Sequence, residues 1–214
     1  MTEAAPKLRR IAAETVSLPP DSTPGGARGA VLTAALRHFA ERGFAGASIR
    51  DIAGELGLKP ASIYSHYPSK EQMLADLLTI GHEAHNRQLR AAVLASDPDP
   101  RAQIRAFVQA HVRMHTDYPM LAIVANTELH SLSSATAGPV LAIRGRSEEM
   151  LQDIVARGCA LGVFSVPHQW LAVAAIGGMG LRVAHWYTPA FELDADGVAA
   201  AYAEYALRIL GANP

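Results

Sequence analysis

The stretch Ile49–Met73, IRDIAGELGLKPASIYSHYPSKEQM, constrains the fold more than any other part of the chain. Ile49, Ile52, Ala53 and Leu56 fall on one stripe of a short helix. Ser48 is its N-cap, Asp51 sits in the acid-favouring first turn, and Gly57 ends it. With Ile49 as the first position of a two-helix unit, a small residue, Ala53, stands fifth, Gly57 ninth and Ile63 fifteenth. A small fifth residue lets a second helix cross closely, and glycine at the ninth takes the positive φ of a sharp turn. Leu58 and Ile63 are expected to drop into a seam with Ile52 and Leu56. This is the spacing of a helix-turn-helix, with a second helix from Lys59 or Pro60 to Ser65.

The remaining pattern is helical. Val31, Leu32, Ala35, Leu36 and Phe39 recur at helical spacing from Arg28 until Gly43, a C-cap. Ser69 caps a helix that runs to Ala95, and the same period predicts helices over Arg101–Asp117, Pro119–Leu132, Gly138–Leu161, Pro167–Tyr187 and Ala195–Leu210. No segment alternates like a strand, so the expected fold is all-α, with about nine helices. The expected organisation is a Pro/Ser/Gly-rich arm over 1–25, a helix-turn-helix domain over 26–72 and a larger helical domain over 73–214. Lys7, Arg9 and Arg10 of the arm are candidates for touching a phosphate backbone.

Charge is unevenly spread. Residues 1–70 hold nine Lys and Arg against six Asp and Glu, and the remainder ten against fourteen, so a net +3 precedes a net −4. The sign favours an anionic partner for the N-terminal part. Cys159 is the sole cysteine, which rules out an internal disulfide and marks a small buried residue. Apolar runs break short of membrane-spanning length, Trp170–Leu181 stopping at Arg182, and no secretory leader pattern opens the sequence, so the expected location is cytoplasmic. No nucleophile elbow, phosphate-binding glycine loop or Rossmann fingerprint appears, and no cofactor is expected; the chain does not read as an enzyme.

The second helix of the helix-turn-helix turns Lys59, Ser62, Tyr64 and His66 outward, a set suited to base edges and phosphates in a DNA major groove. Ser48 before the first helix, and Tyr67 and Lys70 beside the next, are expected at phosphate oxygens. The segment AALRHFAERGFAGASIRDIAGELGLKPASIYSHYPSKEQMLADLL resembles the N-terminal DNA-binding domain of the TetR family of bacterial transcriptional regulators, over residues 28–78. It departs from the family at Pro60–Ala61, where many members carry a Lys–Gly or similar pair, which shifts a lysine contact to Lys59. The resemblance implies a homodimer, a palindromic double-stranded operator, repression, and a helical domain that answers to a small-molecule effector.

Trp170–Tyr187 is almost wholly apolar, with Gly177, Gly178 and Gly180 in its middle, and implies a helix covered on every side by a dimer partner, a ligand or both. Val198, Tyr202, Tyr205 and Ile209 on the last helix would complete a four-helix dimer bundle in this family. Arg182 on such a helix needs a partner, and Glu128 or Glu204 are candidates. The C-terminal half loosely resembles the TetR-type regulators of fatty-acid and sterol-ring catabolism that answer to acyl-coenzyme A thioesters. In the sterol group an Arg and a Trp four apart touch that ligand, and Arg182 and Trp186 match the pair. Phe107, His111, Glu128, Arg182 and Trp186 are therefore the expected effector-binding residues. Two other readings stay open: a regulator of efflux responding to hydrophobic drugs, and a metal-responsive one. The metal reading uses His111 and His115, with His82 and His85 similarly spaced and Glu128 or His130 as a third ligand.

Overall fold

The computed structural model describes residues 16–212; the expected phosphate contacts at Lys7, Arg9 and Arg10 lie outside them. Within them the chain is helical throughout, without a strand. The helices are α1 (Gly26–Gly46), α2 (Ile49–Glu55), α3 (Pro60–Tyr64), α4 (Lys70–Ala95), α5 (Pro100–Asp117), α6 (Pro119–Thr127), α7 (Ser134–Ala160), α8 (Gln169–Leu181), α9 (Val183–Trp186) and α10 (Ala195–Ile209). Two compact units divide the chain. The first holds the described residues up to Ala84 together with Tyr118–Ile143; the second holds His85–Asp117 and the chain from Arg144 onward.

In the first unit, α1 buries Val31, Leu32, Ala35, Leu36 and Phe39 and packs against α2 and α6. Its regular part ends at Gly43, where φ is +71°, and the Phe44 ring then meets Phe39 edge-on at 5.5 Å. Helix α6 is buried at every position from Met120 to Ala125. Gly81 of α4 lies against it, and a Cβ there would stand 3.3 Å from the Leu121 side chain. The end of α6 passes into a 3-10 turn at Leu129–Ser131 instead of continuing helically to Leu132.

Helix α7 begins four residues earlier than the Gly138 start expected from sequence. The Glu71 carboxylate accepts from the Ser133 backbone N–H at 2.9 Å and from the Thr136 hydroxyl at 2.5 Å, so a residue 62 positions upstream orders the first turn. These bonds hold the Glu71 carboxyl down at about 2, Thr136 contributing most.

In the second unit, α5 lies along α10 and also touches α8 and α9. Ile104, Phe107, Val108 and Val112 of α5 meet Val198, Ala203, Ala206 and Leu207 of α10, with Val173 and Ile176 of α8 and Leu151 and Val155 of α7 filling the same core. Phe164 closes one end: a Cβ on Gly158 would stand 2.1 Å from its ring. The long apolar helix expected over Pro167–Tyr187 is interrupted. Arg182 (φ −73°, ψ −19°) caps α8, and only the short α9 follows. Three glycines within one turn, each costing about 1 kcal/mol of helix propensity relative to alanine, make the end of α8 easy to break.

Candidate nucleic-acid interface

Helix α2 starts on Ser48, whose hydroxyl accepts from the Asp51 N–H at 3.2 Å and donates to the Asp51 carboxylate at 2.7 Å. That reciprocal cap holds the Asp51 carboxyl below its usual range, with Ser48 as the main cause and Arg42, 3.2 Å away, adding to it. The helix ends in a Schellman motif. The Leu58 N–H reaches the Ala53 carbonyl at 2.9 Å, the Gly57 N–H reaches Gly54 at 3.1 Å, and Gly57 takes φ +66°. No side chain but glycine sits comfortably in that region.

The turn delivers α3 with Pro60 at its first position and Ile63 fully buried as its anchor. Opposite Ile63 the helix shows Lys59 and Tyr64 exposed, Tyr64 at 53%, with Ser62 and His66 half-buried. An aromatic ring, a hydroxyl, an imidazole and an ammonium thus share one solvent-facing surface. Arg50, exposed in the first turn of α2, adds a cation that the sequence reading passed over; a lone basic residue beside an N-cap serine was the only signal.

Three sequence expectations need correction. Leu58 does not enter the seam; it is 39% exposed, because the Schellman turn uses its backbone and lets the side chain point outward. Tyr67 does not reach for phosphate. It is fully buried, its hydroxyl accepts from Arg28 Nε at 3.1 Å, and the same guanidinium pairs with Asp76 at 3.0 Å. Burial pushes the Tyr67 hydroxyl up, and it stays protonated. Lys70 is also turned inward: its ammonium donates to the carbonyls of Phe44 (2.6 Å) and Ala47 (2.8 Å) and lies over the Phe44 ring at 4.3 Å. It satisfies carbonyls left open where α1 ends, which is why a cation is wanted there. Lys59, Ser62, Tyr64 and His66 remain on the α3 face, and Ser48 is exposed at the start of α2.

The expected effector residues are divided between the two units. Phe107, His111, Arg182 and Trp186 belong to the second unit. Glu128 belongs to the first, where it accepts from the Ser131 hydroxyl at 3.1 Å. Arg182 is exposed, and of its expected partners Glu204 is held instead by Arg105 at 2.8 Å. Trp186 packs edge-on against Phe191 at 5.2 Å, and burial pushes the Tyr202 hydroxyl up. His111 is buried and fully engaged: Nδ1 faces His85 Nε2 at 2.9 Å and Nε2 faces the Gly177 carbonyl at 3.0 Å. With both ring nitrogens taken, His111 has none left for a metal, and His115 directs its Nδ1 to the His111 carbonyl at 2.7 Å. Among the described residues no three His, Cys, Asp or Glu side chains converge to hold a metal ion.

Known proteins share this arrangement. The family model described as "Bacterial regulatory proteins, tetR family" matches residues 31–77, and "Tetracyclin repressor-like, C-terminal domain" matches 97–210, more than half of the chain. The chain belongs to the TetR family. Its members are DNA-binding regulators, not enzymes. The HTH-type transcriptional repressor KstR2 of Rhodococcus jostii (strain RHA1) is 27% identical over 188 residues, spanning 86% of this chain and 92% of the relative. A solved regulatory protein of the tetR family from Rhodococcus RHA1 superposes with a TM-score of 0.82 at 29% identity, covering 89% of this chain and all of that one. AibR, solved in complex with isovaleryl coenzyme A and operator DNA, shares the fold at a TM-score of 0.77 and 20% identity, over 87% of this chain and 99% of its own. No helix among the described residues is long and apolar enough to cross a membrane.

Proposed function

We propose that this TetR-family member is a homodimeric repressor that reads a palindromic operator through α3 and is released from it by a small hydrophobic or acyl-coenzyme A-like effector. The observation that carries the DNA reading is the two-sided α3: Ile63 fully buried, with Lys59, Tyr64 and their neighbours presented to solvent behind a glycine turn. In this reading residues 26–72 bind DNA, with Ser48, Lys59, Ser62, Tyr64 and His66 at base edges and phosphates, and residues 73–214 bind effector and dimerise in the cytoplasm.

The dimer surface is the outward side of α8 and α10. Trp170 (65% exposed), Leu171 (56%), Tyr205 (50%) and Ile209 (39%) are large apolar groups left bare in the single chain, with exposed Ala174, Ala175 and Gly178 between them. A second copy covers that surface and supplies the second α3 that a palindrome requires. In the effector reading Phe107, Trp186 and exposed Arg182 contact the ligand, Arg182 being free to meet an anionic group such as a coenzyme A phosphate. The AibR fold holds an acyl-coenzyme A and an operator together, which supports the pairing of functions. Effector binding shifts the population toward a dimer whose two α3 helices no longer match the operator spacing; a coupling of about 1–3 kcal/mol changes affinity roughly 5–150-fold.

A gel-shift titration on the DNA upstream of the protein's own gene, with and without a panel of acyl-coenzyme A thioesters, tests this. Release by a thioester supports both parts. A shift insensitive to every thioester removes the effector class. Failure to bind that DNA or any selected palindrome removes the repressor.

A further inference from the structure

The outer arc of α3 is poor in hydrogen-bonding side chains. At about 100° per residue, Pro60, Tyr64 and Ala61 follow one another around the helix over an arc of about 100°, and Ile63 falls on the buried side. All three are exposed, whereas Ile63 is fully covered. Just before the helix stands Leu58, 39% exposed, its backbone N–H engaged in the Schellman turn. Leu58, Pro60, Ala61 and the Tyr64 ring are therefore apolar groups left bare on the element that is offered to DNA. Pro60–Ala61, where this chain departs from the family pattern, makes up most of that arc.

The side-chain chemistry of the segment narrows what such a surface can recognise. The stretch Gly57–His66, GLKPASIYSH, holds no Arg, Asn, Gln, Asp or Glu. In the major groove Arg reads guanine, Asn and Gln read adenine, and Asp and Glu accept from cytosine. Of the long readers only Lys59 is present, at the N-cap position of α3. The Ser65 hydroxyl is turned back on its own helix, donating to the Ser62 carbonyl at 2.7 Å. Pro60 has no N–H, so the first helical position offers no backbone donor either. Among unmodified base pairs, the groove displays one apolar group, the C5-methyl of thymine.

We infer that the arc Pro60–Tyr64–Ala61, extended by Leu58, reads thymine methyl groups, so that A·T pairs specify the operator half-site where it faces α3. This rests on the repressor reading and adds to it the class of base pair that the protein selects. Ala61, with the smallest side chain of the arc, lets the helix approach the base edges closely. The Tyr64 ring gives a methyl a flat apolar face, and the hydroxyl at its far end is left for a phosphate. Charge comes from Lys59 and from Arg50 in the first turn of α2. Those cations set affinity and its salt dependence, and the methyl contacts set sequence.

The test begins with the full-length protein selecting duplexes from a random library. The bound sequences are expected to share half-sites with thymine, on either strand, at the positions facing α3. Each such thymine is then replaced singly by deoxyuridine, which removes the methyl and keeps the base pair and its hydrogen-bonding edge. Fluorescence anisotropy is expected to show affinity falling about fourfold for each contacted methyl. The slope of log affinity against log salt stays as it was, since no phosphate contact is lost. In Ala61→Gly and Tyr64→Ala the uridine penalty shrinks toward none, which a penalty arising from DNA stiffness would not do.

Half-sites specified by G·C pairs opposite α3 overturn the inference. So does uridine that binds as well as thymine at every position, an outcome that leaves the repressor standing and returns the apolar arc to a protein partner. Both results come from unmutated protein, so neither depends on how the variants fold. A uridine penalty of equal size in the wild type and both variants overturns the inference too, by assigning the effect to the shape of the DNA. Selection that yields no bound duplex removes it together with the repressor reading on which it rests.

Discussion

Replacing Gly180 with alanine adds one methyl group where the chain has no room for it. The new Cβ would stand 2.1 Å from His111 Cδ2 and 2.3 Å from Nε2, against an ordinary carbon–carbon contact of about 3.5–4.0 Å. More than an ångström of movement is required, and the ring is tethered at both nitrogens. Overpacking of this kind costs about 1–3 kcal/mol. Displacing the ring also stretches the 3.0 Å bond to Gly177 and strands a buried donor, a further penalty of about 1–3 kcal/mol. Alanine returns about 1 kcal/mol of helix propensity. The expected net loss is about 3 kcal/mol. Gly145→Ala is the matched control: it also lies inside a helix, a Cβ there meets nothing within 4 Å, and it should gain up to about 1 kcal/mol. Urea unfolding followed by circular dichroism, at equal protomer concentration because a dimer's stability depends on it, reads both changes. Gly180→Ala protein as stable as the wild type, with an unchanged slope, would refute the reasoning that His111 is pinned against α8.

Lysines 59 and 70 should separate cleanly. Lys59→Ala leaves the unfolding midpoint in place and lowers the slope of log affinity against log salt by about 1, whereas Lys70→Ala costs about 2 kcal/mol of stability through the lost carbonyl bonds; an unchanged salt slope for Lys59→Ala would remove it from the phosphate contacts. Glu71, held down at about 2 from 4.5, contributes stability that is complete above 4.5 and fades as pH falls toward 2. Glu71→Gln should therefore flatten the acid limb of an unfolding profile, and identical limbs would argue against the Ser133–Thr136 clamp. Gly57→Ala forces a Cβ into φ +66° and should cost about 1–2 kcal/mol, measured by the same unfolding assay, with operator affinity falling as the turn opens.

What could be read beforehand was whatever local chemistry decides. Ser48 caps α2 and Gly57 turns the chain because each acts on backbone groups within a few residues, and Ile63 anchors α3 because the helical period puts it there. Tyr67 was illegible for the opposite reason. An aromatic hydroxyl after a polar helix looks the same whether it faces a phosphate or an arginine, and the arginine is 39 residues away in sequence. Lys70 failed likewise, its partners being carbonyls of residues 44 and 47. The break at Arg182 had a local signal in the nearby glycines, but apolar continuity outweighed it in the reading. His111 with His115, and His82 with His85, were noticed by spacing as metal motifs. Only tertiary geometry, bringing His85 within 2.9 Å of His111 across 26 residues and the Gly177 carbonyl within 3.0 Å, shows both His111 nitrogens already occupied.

The first unit is assembled from two separated stretches of chain, and this orders its biosynthesis. Helices α1 to α3 leave the ribosome early, yet α6, which packs on α1, and Ser133 and Thr136, which Glu71 grips, are made only after all of α5. A nascent chain that has emitted just the helix-turn-helix still lacks the cover for α1. A fragment cut after α4 inherits the same deficit, so α3 cannot be lifted out as a freestanding cassette; the shortest transplantable piece must carry Tyr118–Ile143 with it.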